Sequence, residues 1–224
     1  MDFDQYADEY NQMLIKSTAG IIKDVSTIAE SKVASLKRFI DSKPTAILDY
    51  GCGIGNNLNA LKNAFETAEV YGYDPSEKSL YVAAASCPDC RFINQQELPR
   101  FKTCFDLILV SCVVHHIPGC DRYTFAKEAH SLLKPGGWIV IIEHNVYNPI
   151  TRAAVSWCPY DKDAELIRAS KVRRLLTTAG FTDGKSEYIM FTPPSWKRFQ
   201  LLDKLLKNVP LGGQHITKAK RPEK

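Results

Sequence analysis

The chain has 224 residues, 45% of them apolar and 24% charged, an ordinary balance for a soluble globular protein and enough length for one substantial core. The formal charge of +4 is uneven: residues 197–224 hold eight Lys or Arg against Asp203 and Glu223, which leaves about −2 on the rest (21 positive, 23 negative). That distribution argues against a nucleic-acid partner. No apolar run approaches the ~20 residues of a membrane helix. The acidic start (Asp2, Asp4, Asp8, Glu9) does not read as a signal peptide, so a cytoplasmic location is expected. Seven cysteines are scattered at 52, 87, 90, 104, 112, 120 and 158, and are expected to be reduced. Cys87-Pro88-Asp89-Cys90 has metal-knuckle spacing but no second ligand pair follows it.

Taken in order, Phe3, Tyr6, Tyr10 and Leu14 recur at helical spacing, as do Ile21, Ile22, Val25, Ile28, Val33, Leu36 and Ile40, which predicts two helices over residues 4–40. Tyr6 and Tyr10 share one helical face. From Ala46 the pattern alternates. Strands are predicted at 46–50, 70–74, 91–94, 105–111 and 136–143, and helices at 56–65, 76–86, 121–133 and 164–179. This alternation requires a parallel sheet with helices on both faces. A strand at Glu187–Phe191, a helix capped by Ser195 and running to about Lys207, and a last strand at Gly212–Thr217 complete the chain. The whole reads as a single domain, residues 1–43 a helical cap and 44–221 an α/β core.

The first strand runs into Asp49-Tyr50-Gly51-Cys52-Gly53-Ile54-Gly55-Asn56, a tight glycine turn opening a helix. A dinucleotide fingerprint would place its third glycine at position 56, where this chain has Asn. Asp49 would repel a pyrophosphate and suits a ligand with an ammonium group. The second strand ends in Asp74, where an acidic side chain meets ribose hydroxyls in nucleotide-binding α/β folds.

Together with Gly72-Tyr73-Asp74-Pro75-Ser76, the strand Phe105–Val110 and the turn Leu133-Lys134-Pro135-Gly136-Gly137, the glycine motif makes the chain resemble the class I S-adenosylmethionine (SAM)-dependent methyltransferases from about Ala46 to Phe181. The resemblance implies a Rossmann-like, seven-stranded doubly wound sheet whose last strand is antiparallel. It also implies SAM as cofactor and S-adenosyl-L-homocysteine as product. The N-terminal Tyr6 and Tyr10 would form either a packed face or a lid over the cofactor.

Ligands of open α/β sheets bind past the carboxyl ends of the strands. The expected cofactor residues are therefore Asp49, Gly51, Cys52, Gly53, Gly55 and Asn56 after the first strand, and Asp74, Pro75 and Ser76 after the second. Gln95 or Gln96 after the third, and Ser111 and Cys112 after the fourth, complete the set. His115-His116 follows the fourth strand and His144 the fifth; these are the candidate catalytic residues, His144 first as general base, then His116, then His115. The segment Glu143–Asp163 is rich in hydrogen-bonding groups and looks like one from a bacterial subgroup acting on glycans or natural products. Asn145, Asn148 and Arg152 are its candidate substrate-binding residues. The expected reaction is methyl transfer to a small-molecule hydroxyl, on a sugar or glycan precursor or a natural product. No carboxylate and histidine set has ligand spacing, so no metal is expected. A NAD-type oxidoreductase and a non-catalytic partner subunit are the alternatives.

Overall fold

The computed structural model describes residues 10–18, 20–21, 24–196, 199 and 201–223. Tyr6, and the side chain of Tyr10, lie outside what is described, so the lid expectation falls there too.

Two helices, α1 (Tyr10–Ser17) and α2 (Val25–Phe39), precede the sheet. Asp24 caps α2, its side chain accepting the Ser26 N–H at 2.9 Å. The sheet strands are β1 (Ala46–Tyr50), β2 (Glu69–Tyr73), β3 (Arg91–Ile93), β4 (Phe105–Ser111), β5 (Leu133–His144), β6 (Thr182–Ile189) and β7 (Gln214–Lys220). Their connecting helices are α3 (Leu58–Ala64), α4 (Glu77–Ser86), α5 (Arg122–Leu132), α6 (Pro149–Trp157), α7 (Ala169–Thr178) and α8 (Leu201–Leu205). The seven strands form one sheet in the order β3-β2-β1-β4-β5-β7-β6. The β1–β5 pairings are parallel, and β7 runs antiparallel to both β5 and β6. This is the expected Rossmann-like sheet with its last strand reversed.

The central strands are buried on both faces, which is why they read as unbroken apolar runs. Successive residues alternate between two cores. Leu48, Ile108, Ile139 and Ile141 pack with α5 and α7. Ile47, Leu107, Leu109, Val140 and Ile142 pack with α2 and α3. Each fully buried aliphatic side chain contributes about 1.5–3 kcal/mol by leaving water.

The differences from expectation lie beyond β5. The expected strand at 187–191 is β6 at Thr182–Ile189; its first half is polar and exposed because β6 is an edge strand paired only with β7. A bulge at Asp183, whose φ is +56°, shifts its register. Of the helix expected from Ser195, the described residues keep only the short α8. The segment after β5 contains α6, which the expected loop lacked. Asn148 caps it, accepting the Thr151 N–H at 2.9 Å, and Pro149 occupies its first turn. The Asn-Pro pair was a legible start signal.

Candidate active site

The glycine turn is built at the junction of β1 and β2. Gly51 and Cys52 donate their N–H groups to the Tyr73 carbonyl at 2.7 and 2.9 Å. Gly51 has φ +76°, and a Cβ there would stand 2.5 Å from Val113 Cγ2, so only glycine fits. Gly53, with φ +53°, is different: a Cβ there would meet nothing within 4 Å. Its N–H donates to Asp74 Oδ2 at 2.8 Å, while Asp74 Oδ1 accepts the Ser76 N–H at 2.9 Å. Asp49 lies behind the turn, 0% exposed. Its Oδ2 accepts from Asn57 Nδ2 at 3.4 Å, and its Oδ1 has no partner. Burial pushes the Asp49 carboxyl up to about 7, with Asn57 and Lys32 only partly offsetting it.

A cavity of about 830 Å³ opens over this turn, within the range of small-molecule sites. Of the expected residues, Gly51, Cys52, Gly53, Asn56, Asp74, Pro75, Ser111, Cys112, His116, His144 and Asn148 line it. The others are placed elsewhere. Gly55 packs against Ala83 and Cys87. Ser76 caps α4 by accepting the Ser79 N–H at 3.0 Å. Gln95 accepts the Tyr73 hydroxyl, and both Gln95 and Gln96 are exposed outside the cavity. Asn145 is buried, and its amide donates to the Pro210 and Gly212 carbonyls at 3.1 and 2.7 Å. Asn148 spends its amide on the Leu211 carbonyl at 2.6 Å and its Oδ1 on the cap of α6. Arg152 is exposed and off the cavity wall. The polar groups after β5 thus fasten this segment to the turn before β7, where the sequence suggested that they hold a substrate. From α6 the cavity is lined by Pro149, Ile150, Ala153, Ala154, Val155 and Trp157, with Thr151 as the one polar side chain, and Phe191 and Pro193 also line it.

Lys32 is a site residue that the sequence reading missed. It sits in the buried stripe of α2, 9% exposed, and lines the cavity. Its Nζ donates to Ser111 Oγ at 2.9 Å and to Cys112 Sγ at 3.4 Å. Cys112, held at φ +59°, also receives Gln214 Nε2 at 3.3 Å. Burial opposes ionisation of this thiol, but Lys32 and His144 outweigh it and bring it down to about 6.

The histidines meet where β4 and β5 end side by side. Glu143, fully buried, accepts the N–H groups of Val113 at 3.1 Å and Val114 at 2.7 Å on Oε1. Its Oε2 lies 2.5 Å from His115 Nδ1. His115 is 1% exposed, so the expected catalytic residue is held behind the wall. Its Nε2 and that of His116 each lie 3.4 Å from Asp161 Oδ1, which comes from the turn after α6. Burial disfavours the His115 imidazolium, yet Glu143 and Asp161 raise its pKa to about 10. Burial likewise opposes ionisation of Glu143, which His115 nonetheless lowers to about 2, and the two histidines hold Asp161 far below the carboxylate range. His116 is pushed below its ordinary value by burial, against the pull of Asp161. The His144 ring centre stands 5.1 Å from that of His115. Ligand atoms of His115, His144 and Asp161 lie within 4.8 Å of one another, a convergence that chain spacing did not reveal.

Residues 24–185 match the family model described as "Methyltransferase domain". The chain belongs to this methyltransferase family. The protein has the class I SAM-dependent fold, and SAM is its cofactor. The dehydrogenase alternative falls with that result. The methyltransferase is 28% identical over 177 residues to a ubiquinone biosynthesis O-methyltransferase of Rhizobium etli, covering 70% of this chain and 68% of the relative. It is 33% identical over 106 residues to a trans-aconitate 2-methyltransferase of Enterobacter sp., covering 46% of this chain and 41% of the relative. In fold it resembles a Thermotoga maritima SAM-dependent methyltransferase described as a possible histamine N-methyltransferase. That likeness has a TM-score of 0.70 and 16% identity, and covers 99% and 98% of the two chains. Among the described residues no helix is long and apolar enough to cross a membrane. The side-chain-free approach at Gly53, the buried Asp49 oxygen without a partner and the cation of Lys32 fit a zwitterionic nucleoside ligand such as SAM.

Proposed function

We propose that this methyltransferase O-methylates a small molecule that is mostly apolar around its accepting hydroxyl. One observation carries the reading: the cavity runs from the glycine turn to the His116–Asp161 pair along the apolar inner face of α6. The same observation disfavours a sugar or glycan acceptor, because Asn145 and Asn148 spend their amides on backbone and Arg152 points elsewhere. The relatives' names support a small-molecule acceptor, one of them through O-methylation in ubiquinone biosynthesis.

SAM supplies a sulfonium-borne methyl group that is electrophilic without further activation. The chain's residues bind and align. Asp74 offers its carboxylate to the ribose hydroxyls, the turn at Gly51–Gly53 lets the ligand lie against backbone, and Lys32 faces its carboxylate end. Alignment of this kind can lower a barrier by up to ~7–11 kcal/mol. His116 takes the acceptor's proton. It lines the cavity, burial keeps it neutral near pH 7, and Asp161 orients it from 3.4 Å. His144, the first choice from sequence, lines the same wall.

The test is transfer from radiolabelled SAM to two pools, apolar phenols and quinols in one, nucleotide sugars in the other. Label in the first pool as a base-stable methyl ether is the expected result. Label confined to the sugars overturns the reading.

A further inference from the structure

We propose that His115, His144 and Asp161 form a site for one divalent transition-metal ion, zinc or iron(II), in the floor of the acceptor cavity. Their ligand atoms, two imidazole nitrogens and one carboxylate oxygen, lie within 4.8 Å of one another. Two histidines and a carboxylate are the protein ligands of many catalytic zinc and non-haem iron centres. With metal–ligand bonds of about 2.0–2.2 Å, tetrahedral ligands stand roughly 3.3 Å apart. His115 Nε2 and Asp161 Oδ1, 3.4 Å apart, already meet that spacing, so closing the set falls mainly to the His144 ring.

Three further features separate this cluster from a chance meeting of polar groups. First, His115 is oriented as metal-bound histidines are: a carboxylate, Glu143, engages its Nδ1 at 2.5 Å and leaves Nε2 for the ion. Glu143 is itself fixed by two backbone N–H groups and is fully buried. Second, His115 Nε2 is buried without a hydrogen bond, its nearest charged neighbour being Asp161 Oδ1 at 3.4 Å. A buried nitrogen of that kind requires a proton shared with Asp161 or an ion. Third, His144 and Asp161 line the cavity while His115 stands behind them, so the open positions of such an ion face the acceptor.

Charge balance agrees. Glu143 and Asp161 bring two carboxylates to the cluster, which a dication held by neutral imidazoles would balance. Facing the acceptor oxygen, the ion would favour loss of the hydroxyl proton. That proton passes to His116, the oxygen–carbon bond forms, and the carbon–sulfur bond breaks with its electron pair going to sulfur. This role rests on the acceptor reading proposed above; the ion site itself does not.

The experiment uses the full chain, stripped with a chelator and freed of it, then titrated with Co²⁺ as a spectroscopic stand-in and with Zn²⁺ and Mg²⁺ by calorimetry. Expected are one Co²⁺ per chain with visible d–d absorption, displacement by Zn²⁺, and no comparable binding of Mg²⁺. His144→Gln, at the cavity surface and thus compatible with folding, should abolish the spectrum. Glu143→Gln should weaken binding by about 10–100-fold, and His116→Gln should leave the stoichiometry unchanged. No Co²⁺ spectrum, or one untouched by His144→Gln, overturns the site. Methyl transfer to apolar hydroxyls by metal-free protein would leave the proposed function standing and remove the ion's part in the reaction, while the Co²⁺ titration alone decides the site. Metal binding with label reaching only sugars would do the reverse.

Discussion

Asp74 Oδ2 accepts the backbone N–H of Gly53 at 2.8 Å, so one carboxylate at the end of β2 both borders the cavity of about 830 Å³ and holds the glycine turn. Replacing Asp74 with Ala removes both. SAM affinity measured calorimetrically should fall at least tenfold, about 1.4 kcal/mol. Asp74→Asn keeps an acceptor oxygen and should lose less. Equal affinity in all three proteins would dismiss Asp74 from the site.

Gly51 and Val113 set a steric limit. Gly51→Ala forces a side chain into φ +76°, and its Cβ into Val113 at 2.5 Å. The left-handed conformation costs about 1–2 kcal/mol and the overlap about 1–3 kcal/mol. The melting temperature should drop by about 5–15 °C. Adding Val113→Ala should recover only the steric part. A Gly51→Ala protein that melts like the wild type would contradict the tight approach of these two loops.

Asp49 gives the free protein a pH dependence of definite sign. Its folded value, about 7, lies above the ordinary carboxyl value of 3.8 because burial disfavours the charge. The folded chain therefore holds a proton that the unfolded chain has released, and its stability is lost as pH rises from about 3.8 to about 7. Melting temperatures of wild type and Asp49→Asn, compared from pH 5 to 8, should diverge in favour of the variant up to about pH 7 and then stay parallel. A constant gap across that range would mean that Asp49 is already ionised in its buried place.

His116→Asn tests the base. It should lower kcat by about 10²-fold or more and leave SAM affinity within about twofold. His115→Asn should instead lower the melting temperature, since it strands Glu143 in the core. Retention of more than about a tenth of wild-type kcat by His116→Asn would leave alignment to carry the reaction.

The features of the candidate site that the sequence made legible are those written in consecutive residues. Asp49 through Asn56, Asp74 and the ends of β1, β2 and β4 each carry a local signal: a strand that stops, a glycine where a side chain would clash, a carboxylate at a fixed offset. Lys32 was hidden because a lysine in an apolar helical stripe usually snorkels to solvent, whereas this one reaches Ser111 at the carboxyl end of the central strand β4. The meeting of His115, Glu143 and Asp161 depends on β4 lying beside β5 and on α6 turning the chain back. No spacing along the chain encodes it. The polar richness of Asn145 and Asn148 was read as substrate contact because composition cannot tell a group that faces a ligand from one that satisfies a neighbouring carbonyl.

None of the nine residues of α6 is buried, yet this helix forms one wall of the cavity. On the proposed acceptor reading its inner face shapes what the protein accepts, while none of its residues belongs to the buried core. Exchanging residues 150, 153, 154 and 157 together is expected to cost little stability and to redraw the space along this wall of the cavity. Selectivity and folding are written in different parts of this chain, and a new acceptor can be sought by rewriting one helix.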